Sequence, residues 1–162
     1  MMTNPADLYG RITSDNYPLH WAARHGSADL VRFLAERYYD VNEREKLQGT
    51  TPLFWATAAG HTRVAQLLIE KGATVKVANR EGVTPLHAAV ESGNTDMARL
   101  LIQHGGSILA KDVDGQTPLD WAKACGQDEI IKLFEDVAYR ESGARKRDEL
   151  VRRARYGRGT GD

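Results

Sequence analysis

The amino-acid sequence predicts an all-α fold, a helical solenoid made of stacked helix–turn–helix units. One segment of about 33 residues recurs four times along the chain of 162 residues. Each copy contains two short helical patterns separated by a glycine. A pair of antiparallel helices cannot bury its apolar face alone, whereas stacked neighbours can. A regular repeat of this kind therefore indicates a solenoid.

The four copies align on a proline. The spacings between successive prolines are 34, 33 and 33 residues, a regularity not expected by chance. The aligned segments are NYPLHWAARHGSADLVRFLAER around Pro18, TTPLFWATAAGHTRVAQLLIEK around Pro52, VTPLHAAVESGNTDMARLLIQH around Pro85 and QTPLDWAKACGQDEIIKLFEDV around Pro118.

The first helical pattern of a unit is clearest in the third copy. Pro85 suits the first turn of a helix, where its missing N–H would have no partner. Thr84, just before it, is a candidate N-cap. Small residues such as Ala88 allow neighbouring helices to approach closely, and Gly93 ends the helix.

The second helical pattern of this copy runs from about Thr95 to Gln103. Met97, Leu100 and Leu101 follow the three-and-four spacing of one apolar helix face. Two glycines end the pattern, and the stretch SILAKDVDGQ follows. It contains a turn of the Asp-x-x-Gly kind that leads into the next Thr-Pro.

These motifs resemble the ankyrin repeat family over roughly residues 14–137. The shared pattern is Thr-Pro-Leu-His-x-Ala, a central glycine, a Leu-Leu pair and a closing Gly-Ala. The resemblance implies a solenoid with hairpin loops projecting from one edge. The expected organisation is an N-terminal extension 1–13, four repeats in 14–139 (about 14–47, 48–80, 81–113 and 114–139) and a basic, partly helical tail 140–162.

The first and last copies depart from the family pattern. Repeat one has Tyr17 in place of threonine, Asp15 in place of glycine and Tyr38 with Tyr39 in place of Gly-Ala, which suits a terminal repeat. Repeat four has no Gly-Ala hairpin after it, so its outer helix is expected to run long and cover the stack.

The histidine of the motif is the residue that most resembles a catalytic group. Thr84, His87 and Glu91 alone would suggest a hydrolytic site, but His20 occupies the same position in the first repeat, two repeats earlier. The resemblance implies that this histidine bridges neighbouring repeats together with the threonine. A catalytic site would need a base, an orienting partner and a cavity. We therefore expect no catalytic residue.

Other candidate chemical sites are weak. The remaining histidines have no ligand partners at metal spacing, and no glycine-rich phosphate loop precedes a helix. Cys125 has no activating histidine or arginine beside it. We expect no metal, no cofactor and no small-molecule substrate.

Composition and charge favour an intracellular protein. A single cysteine cannot form an internal disulfide, and neither a signal peptide nor a stretch of about 20 apolar residues is present. A cytoplasmic location is expected, with the nucleus as an alternative, and no membrane partner. Residues 1–139 carry 14 Lys/Arg against 18 Asp/Glu, whereas residues 140–162 carry 8 against 4. The tail is therefore a separate, basic segment.

In the resembled family, function is binding, and contacts come from the hairpin tips and the exposed side of the inner helices. The mixed character of these positions does not favour nucleic acid in the groove, so a protein partner is expected. The expected partner-binding residues are Arg24, His25, Arg44, Glu45, Leu47, Gln48, Trp55, Arg80, Glu81, Val83, Glu91, Ser92, Lys111, Val113, Asp114 and Gln116.

Three tryptophans directly follow the histidine position, at Trp21, Trp55 and Trp121, with Ala88 in repeat three. One interpretation is that each indole fills space between adjacent inner helices. The other is an aromatic ladder with a gap at Ala88 that receives a partner side chain. Partial exposure of Trp55 would favour the second interpretation.

The tail begins at Tyr139, and Gly143 is expected to interrupt it before a second helical stretch. Its basic residues are Arg145, Lys146, Arg147, Arg152, Arg153 and Arg155. The tail is either a solvated extension or an arm that docks on an acidic protein or on RNA. The leading functional hypothesis is thus an adaptor or scaffold. The alternative is a small subunit of a ribonucleoprotein or cytoskeletal assembly, anchored by this tail.

Overall fold

The structure, a computed structural model, describes residues 17–37 and 39–156, without the side chains of residue 144 and residues 149–156. The expected N-terminal extension, Asp15, Tyr38 and the last six residues lie outside the described residues. Those ranges contain helices and no strand, which confirms the all-α solenoid. The helices are α1 Pro18–Arg24, α2 Ala28–Arg37, α3 Pro52–Ala58, α4 Thr62–Glu70, α5 Pro85–Glu91, α6 Thr95–Gln103, α7 Pro118–Ala124 and α8 Asp128–Tyr156.

The helices form two layers. The inner helices α1, α3, α5 and α7 pack side by side in chain order. Each also packs on the outer helix of its own repeat, and the outer helices α2, α4, α6 and α8 contact one another in the same order. This nearest-neighbour packing is what makes a linear stack the stable arrangement.

Threonine side chains start the inner helices of repeats two to four. The hydroxyl oxygens of Thr51, Thr84 and Thr117 each accept a hydrogen bond from the backbone N–H three residues on. The proline that follows each threonine lies in the first turn. The predicted N-cap at Thr84 is therefore confirmed, and its cause is local: the hydroxyl satisfies an N–H that the helix leaves unpaired.

A glycine with positive φ ends every inner helix. Gly26, Gly60, Gly93 and Gly126 have φ between 64° and 76°, a region that side chains with a Cβ avoid. The next N–H bonds back to a carbonyl five residues earlier, as from Asn94 to Ala89 at 3.0 Å. This Schellman-type turn reverses the chain into the outer helix.

The core lies between the two layers and continues through all four repeats. Leu19, Leu53 and Leu86 of successive inner helices are at most 1% exposed. Leu34, Leu68 and Leu101 of the outer helices are fully buried. Their spacing by one repeat gives the first three units the same layer of apolar contacts, so the stack buries area that no single unit could.

The first repeat replaces the threonine cap with Tyr17. Its side chain makes no cap bond, and its hydroxyl accepts a hydrogen bond from the Lys46 N–H at 3.0 Å. The Tyr17 ring lies edge-on to His20, with 5.2 Å between centroids. Among the described residues, Nδ1 of His20 is buried without a hydrogen-bond partner. The substitution therefore exchanges a polar contact for an aromatic one.

The last outer helix is long, as predicted. Helix α8 spans 29 residues, and its first half buries Ile130 and Phe134 against the stack. The expected interruption at Gly143 is wrong, because the helix continues through it to Tyr156. A glycine costs a helix interior only about 1 kcal/mol, which the flanking turns offset. No helix within the described ranges is both long and apolar enough to cross a membrane.

Candidate functional site

His87 lies inside the stack. It is fully buried, its Nε2 donates to the Gln116 carbonyl at 3.2 Å, and its Nδ1 accepts from the Thr84 N–H at 3.2 Å. This bonding fixes the neutral tautomer with the proton on Nε2. His20 makes the equivalent bridge to the Thr50 carbonyl at 3.0 Å. The motif histidine therefore joins repeats, and no substrate can reach His87.

Glu45 organises the loop between repeats one and two. Its carboxylate accepts hydrogen bonds from the backbone amides of Leu47 at 2.7 Å and Gln48 at 2.6 Å. It also accepts from the amide and hydroxyl of Thr50, at 3.3 and 3.2 Å. Although loss of hydration opposes the shift, these bonds lower the pKa of Glu45. The predicted partner contact at Glu45 thus competes with a structural role, because its carboxylate already serves the turn.

The side chains of Asn79 and Asp112 stabilise the next two loops in the same way, by accepting hydrogen bonds from backbone amides. The Asn79 side chain accepts from the amides two and four residues on, both at 2.9 Å. Asp112 repeats the pattern at 3.0 and 2.8 Å. Both precede a glycine by three residues, which is the turn signature visible in the sequence. The sequence predicted this turn at Asp112, as Asp-x-x-Gly, but it did not predict the equivalent role of Asn79.

Hydrogen bonds between successive loops hold the tips together. The Arg80 N–H donates to the Gln48 carbonyl at 2.8 Å, and the Val113 N–H donates to the Glu81 carbonyl at 2.9 Å. Arg44 adds a side-chain bridge, since its guanidinium donates to the Ala78 carbonyl at 2.8 Å. Arg44 is exposed as predicted, but it also links two loops. The tips therefore form one connected edge.

Most predicted tip residues are at the surface. Leu47 is 84% exposed and Val113 is 70% exposed, and both are apolar. The other predicted tip residues that are exposed are Arg44, Gln48, Arg80, Glu81, Lys111, Asp114 and Gln116.

Val83 corrects the prediction for the second loop. It is 8% exposed, and its amide donates to the Asn79 side chain at 2.9 Å. It lies at the base of the loop, directly before the buried N-cap Thr84. Position in the repeat suggests a tip residue, but the loop turns inward one residue earlier, so Val83 is unavailable to a partner.

The inner-helix ends of repeats one and two form an aromatic and cationic cluster. The Arg24 guanidinium carbon lies 4.9 Å from the Trp55 ring centroid. The Trp21 and His25 rings stack with centroids 4.0 Å apart. Arg24 and His25 are exposed, and both indoles are half-buried. Partial exposure of Trp55 favours the aromatic ladder, with Arg24 covering one indole.

The ladder changes character along the stack. In repeat three, Ala88 is 1% exposed and leaves no aromatic side chain at this position. In repeat four, half-buried Trp121 donates from Nε1 to Asp112 at 2.9 Å. Trp121 also lies edge-on to His87, at 5.2 Å. It is therefore fixed to the third loop. Glu91, at the end of α5, is exposed.

Ser92, which follows Glu91, is exposed as predicted. The structure adds exposed apolar residues that sequence reasoning missed, Leu109 at 62% and Tyr139 at 80%. Leu109 follows a serine turn, its amide donating to Ser107 at 3.3 Å. Neither residue belongs to the repeat motif, so repeat position gave no signal for them.

The basic tail is part of helix α8. Arg145, Lys146 and Arg147 are exposed on it. Arg152, Arg153 and Arg155 lie on the same helix, and their side chains are outside the described set. Within the described ranges, no group of three or more histidine, cysteine or acidic side chains is arranged to hold a metal ion.

Comparison with known proteins agrees with this architecture. A family model described as ankyrin repeats (3 copies) matches residues 3–79 and 74–140. A stretch of 63 residues is 44% identical to human palmitoyltransferase ZDHHC17, covering 38% of this chain and 10% of that protein.

Two further relatives show the same partial coverage. A stretch of 56 residues is 41% identical to the 26S proteasome non-ATPase regulatory subunit 10 of Dictyostelium discoideum, covering 35% of this chain and 24% of that protein. A stretch of 63 residues is 35% identical to the bovine ankyrin repeat and SOCS box protein 2, covering 39% of this chain and 10% of that protein. The similarity thus spans a quarter or less of these relatives, and it carries none of their whole-protein activities to this chain.

Proposed function

Because the chain belongs to the ankyrin repeat family, whose repeats are protein-interaction modules, we propose that it is a non-catalytic adaptor or scaffold. Its protein partner binds across the hairpin tips and the exposed ends of the inner helices. The observation that carries the proposal is the tip edge itself. Two large apolar side chains, Leu47 and Val113, are mostly exposed on loops that are hydrogen-bonded to their neighbours.

A rigid edge favours binding because little conformational entropy is lost when the partner docks. The Leu47 amide is held by Glu45, and the Arg80 amide is held by the preceding loop. The half-buried Trp21 and Trp55 extend the surface onto the inner helices. Aromatic and arginine side chains are the residue types that most often dominate binding energy at interfaces.

The charges on this surface favour a protein over a nucleic acid. Arg24 and Arg80 are exposed, but so are Glu81, Glu91 and Asp114. A nucleic-acid site presents a continuous basic face to the phosphates. The mixed signs instead suit a polypeptide, which offers both charges along with apolar side chains.

A pull-down with matched variants tests the proposal. The full-length chain is compared with Arg80→Ala combined with Glu81→Ala at the second tip, and with Asp96→Ala combined with Arg99→Ala on α6. Each pair removes one exposed charge of each sign. We expect the tip variant to lose at least about tenfold in affinity for the captured partner, and the α6 variant to bind as the wild type does. Equal loss in both, or loss only in the α6 variant, would place the interface elsewhere.

A second candidate is the subunit of a larger assembly anchored by the tail. It is favoured by the continuous helix α8, which carries exposed Arg145, Lys146 and Arg147 beyond the stack. Contacts to an acidic surface through these cations would weaken as salt is raised. Replacing all three by glutamine tests the idea. Partner binding that neither falls in this variant nor depends on salt would remove it.

A further inference from the structure

One row of side chains along the loop tips has a definite chemical order. Leu47, Arg80 and Val113 are separated by 33 residues each and occupy equivalent positions in the three loops. We call these three residues the tip row. Each of their backbone N–H groups is bonded inside the structure, to Glu45, Gln48 and Glu81 respectively. The row is therefore fixed in position, and only its side chains are available to a partner.

The side chains of the row alternate apolar, cationic, apolar. The two apolar ends are mostly exposed, at 84% for Leu47 and 70% for Val113. Single exposed apolar residues are ordinary on a protein surface. Here, however, two of them recur at the same loop position on either side of a cation, which defines a pattern that a ligand can match.

Arg80 is held at its stem and free at its charged end. A Cβ built on Gly49 would lie 3.4 Å from Arg80 Cγ, so the arginine stem crosses close above that glycine. The described residues form two ion pairs, Arg32 with Asp29 and Lys71 with Glu36, and neither involves Arg80. Its neighbour Glu81 does not pair with it. An exposed guanidinium placed in this way favours a carboxylate from a partner.

The spacing expected for the row suits one extended backbone conformation of a partner better than another. Successive tips are related by one repeat, and the inner helices that follow them pack side by side. The axes of packed helices lie about 8–10 Å apart, so we expect a similar distance between successive tips. A polyproline II segment has three residues per turn and rises about 3.1 Å per residue, so every third side chain lies on one edge about 9 Å apart. A β-strand places same-face residues about 6.6 Å apart, which misses the tips.

We propose that the tip row binds a partner segment in the polyproline II conformation with the pattern apolar-x-x-acidic-x-x-apolar. The central carboxylate pairs with Arg80, and the outer side chains pack on Leu47 and Val113. This inference rests on the proposed function and names the chemistry of its partner. Because the three tips are already ordered by their loop bonds, the segment binds a preformed surface.

Selection from a phage library of random 12-residue peptides tests the proposal on the full-length chain. The wild type is expected to enrich apolar-x-x-acidic-x-x-apolar peptides. Arg80→Glu is expected to enrich the same spacing with lysine or arginine at the centre, because the variant reverses the charge at one fixed point. Leu47→Asp is expected to lose the apolar preference at one end. Arg99→Glu, which reverses an exposed charge on α6, is expected to select as the wild type does.

The outcomes separate clearly. A synthetic peptide from the wild-type selection should bind Arg80→Glu at least about tenfold more weakly, the effect of one lost charged contact. Circular dichroism and thermal unfolding confirm that each variant is folded. Peptides with another spacing, a central residue unchanged by Arg80→Glu, or no enrichment at all would overturn the tip-row inference. If the pull-down of a natural partner still depends on the tips in that case, the proposed function stands without it.

Discussion

At the residue scale, His87 illustrates how the repeat uses a polar side chain as a structural link. Both ring nitrogens are hydrogen-bonded, one within its own repeat to Thr84 and one across to the Gln116 carbonyl. The ring also lies against Trp121. A buried polar group contributes to stability only while its bonds are intact. The contacts that occupy both ring nitrogens of His87 therefore also mean that its removal should lower the stability of the fold.

Replacing His87 by alanine should lower the free energy of unfolding by about 2–4 kcal/mol. The change leaves a cavity and a carbonyl at Gln116 without its donor. Urea denaturation of the variant and the wild type measures the difference. His104→Ala is the matched control because this histidine is exposed at the end of α6. Equal losses in the two variants would contradict the structural role.

The two bridging histidines also predict a pH dependence. Burial lowers the pKa of His20 and His87 below 6.5, against the opposing hydrogen bonds to the Thr50 and Gln116 carbonyls. As pH falls below 6.5, the unfolded chain binds protons that the folded chain does not. The contribution of these two histidines to stability is therefore complete above about pH 6.5. It is lost as the pH falls from that value to the lowered pKa of the folded state.

Urea midpoints measured from about pH 8 to about pH 5.5 test this sign, since model-peptide histidine titrates within that range. We expect the midpoint to fall toward the acid end. The dependence should be weaker in His20→Gln combined with His87→Gln. Burial raises the pKa of Glu43, which acts in the opposite direction, so the double variant is the informative comparison. A slope that the double variant leaves unchanged would remove the histidines as its cause.

At the element scale, the turn that ends each inner helix also sets the contact between repeats. Gly26 has φ of 72°, and a Cβ there would lie 2.7 Å from Nδ1 of His61 in the next repeat. His61 in turn donates from Nε2 to the Arg24 carbonyl at 3.0 Å. The glycine is thus required twice, for the backbone conformation and for the close approach of the neighbouring ring.

Alanine substitutions at equivalent turns should separate these two requirements. Gly126 has φ of 67°, but a Cβ there would meet nothing within 4 Å. Gly126→Ala should therefore cost only the backbone term, about 1–2 kcal/mol. Gly26→Ala should cost at least about 1 kcal/mol more, because the His61 ring must move. Thermal unfolding measures both variants, and equal costs would show that the His61 contact contributes nothing.

At the scale of the whole molecule, the stack and the tail differ in what holds them. The stack shares one apolar core from Leu19 to Phe134. Beyond Val137, the residues of α8 whose burial the structure describes are exposed, apart from Gly143, which is half-buried. The charges divide in the same way, with the basic excess in residues 140–162 and the acidic excess in residues 1–139.

A chain ending at Tyr139 should therefore keep the stability of the full chain to within about 0.5 kcal/mol, as expected for removing exposed residues. A chain ending at Lys132 loses the fully buried Phe134 and should be destabilised by about 3–5 kcal/mol. Chemical denaturation of the two truncations gives both numbers. A large loss in the longer one would mean that the tail belongs to the folded unit.

Sequence reasoning predicted the parts of this fold that are determined locally and repeated. The cap at Thr84 and the helix Thr95–Gln103 follow from residue type and period. The bridging role of His87 was implied by the resemblance to ankyrin repeats. Individual burial at the loops did not follow. Val83 is buried where the loop closes on Asn79, a local detail that position in the repeat does not predict.

Contacts between different repeats were equally hard to predict. The Arg24 guanidinium over Trp55 joins residues 31 positions apart, and the Trp121 bond to Asp112 links a helix to its preceding loop. The predicted interruption at Gly143 was wrong for another reason. Propensity alone does not decide where a helix that is already nucleated ends. The candidate surface was therefore predicted as a region, but not as a set of side-chain contacts.

The central claim, that a protein partner binds the tips and inner-helix ends, is tested most directly by site-specific photo-crosslinking in cells. A photoreactive amino acid is placed at Leu47 or Ser92 on the candidate surface, and at Gln66 or Arg99 on the outer helices, all exposed positions. We predict that one partner is captured from both positions on the candidate surface and from neither outer position. Capture from the outer helices alone would contradict the account.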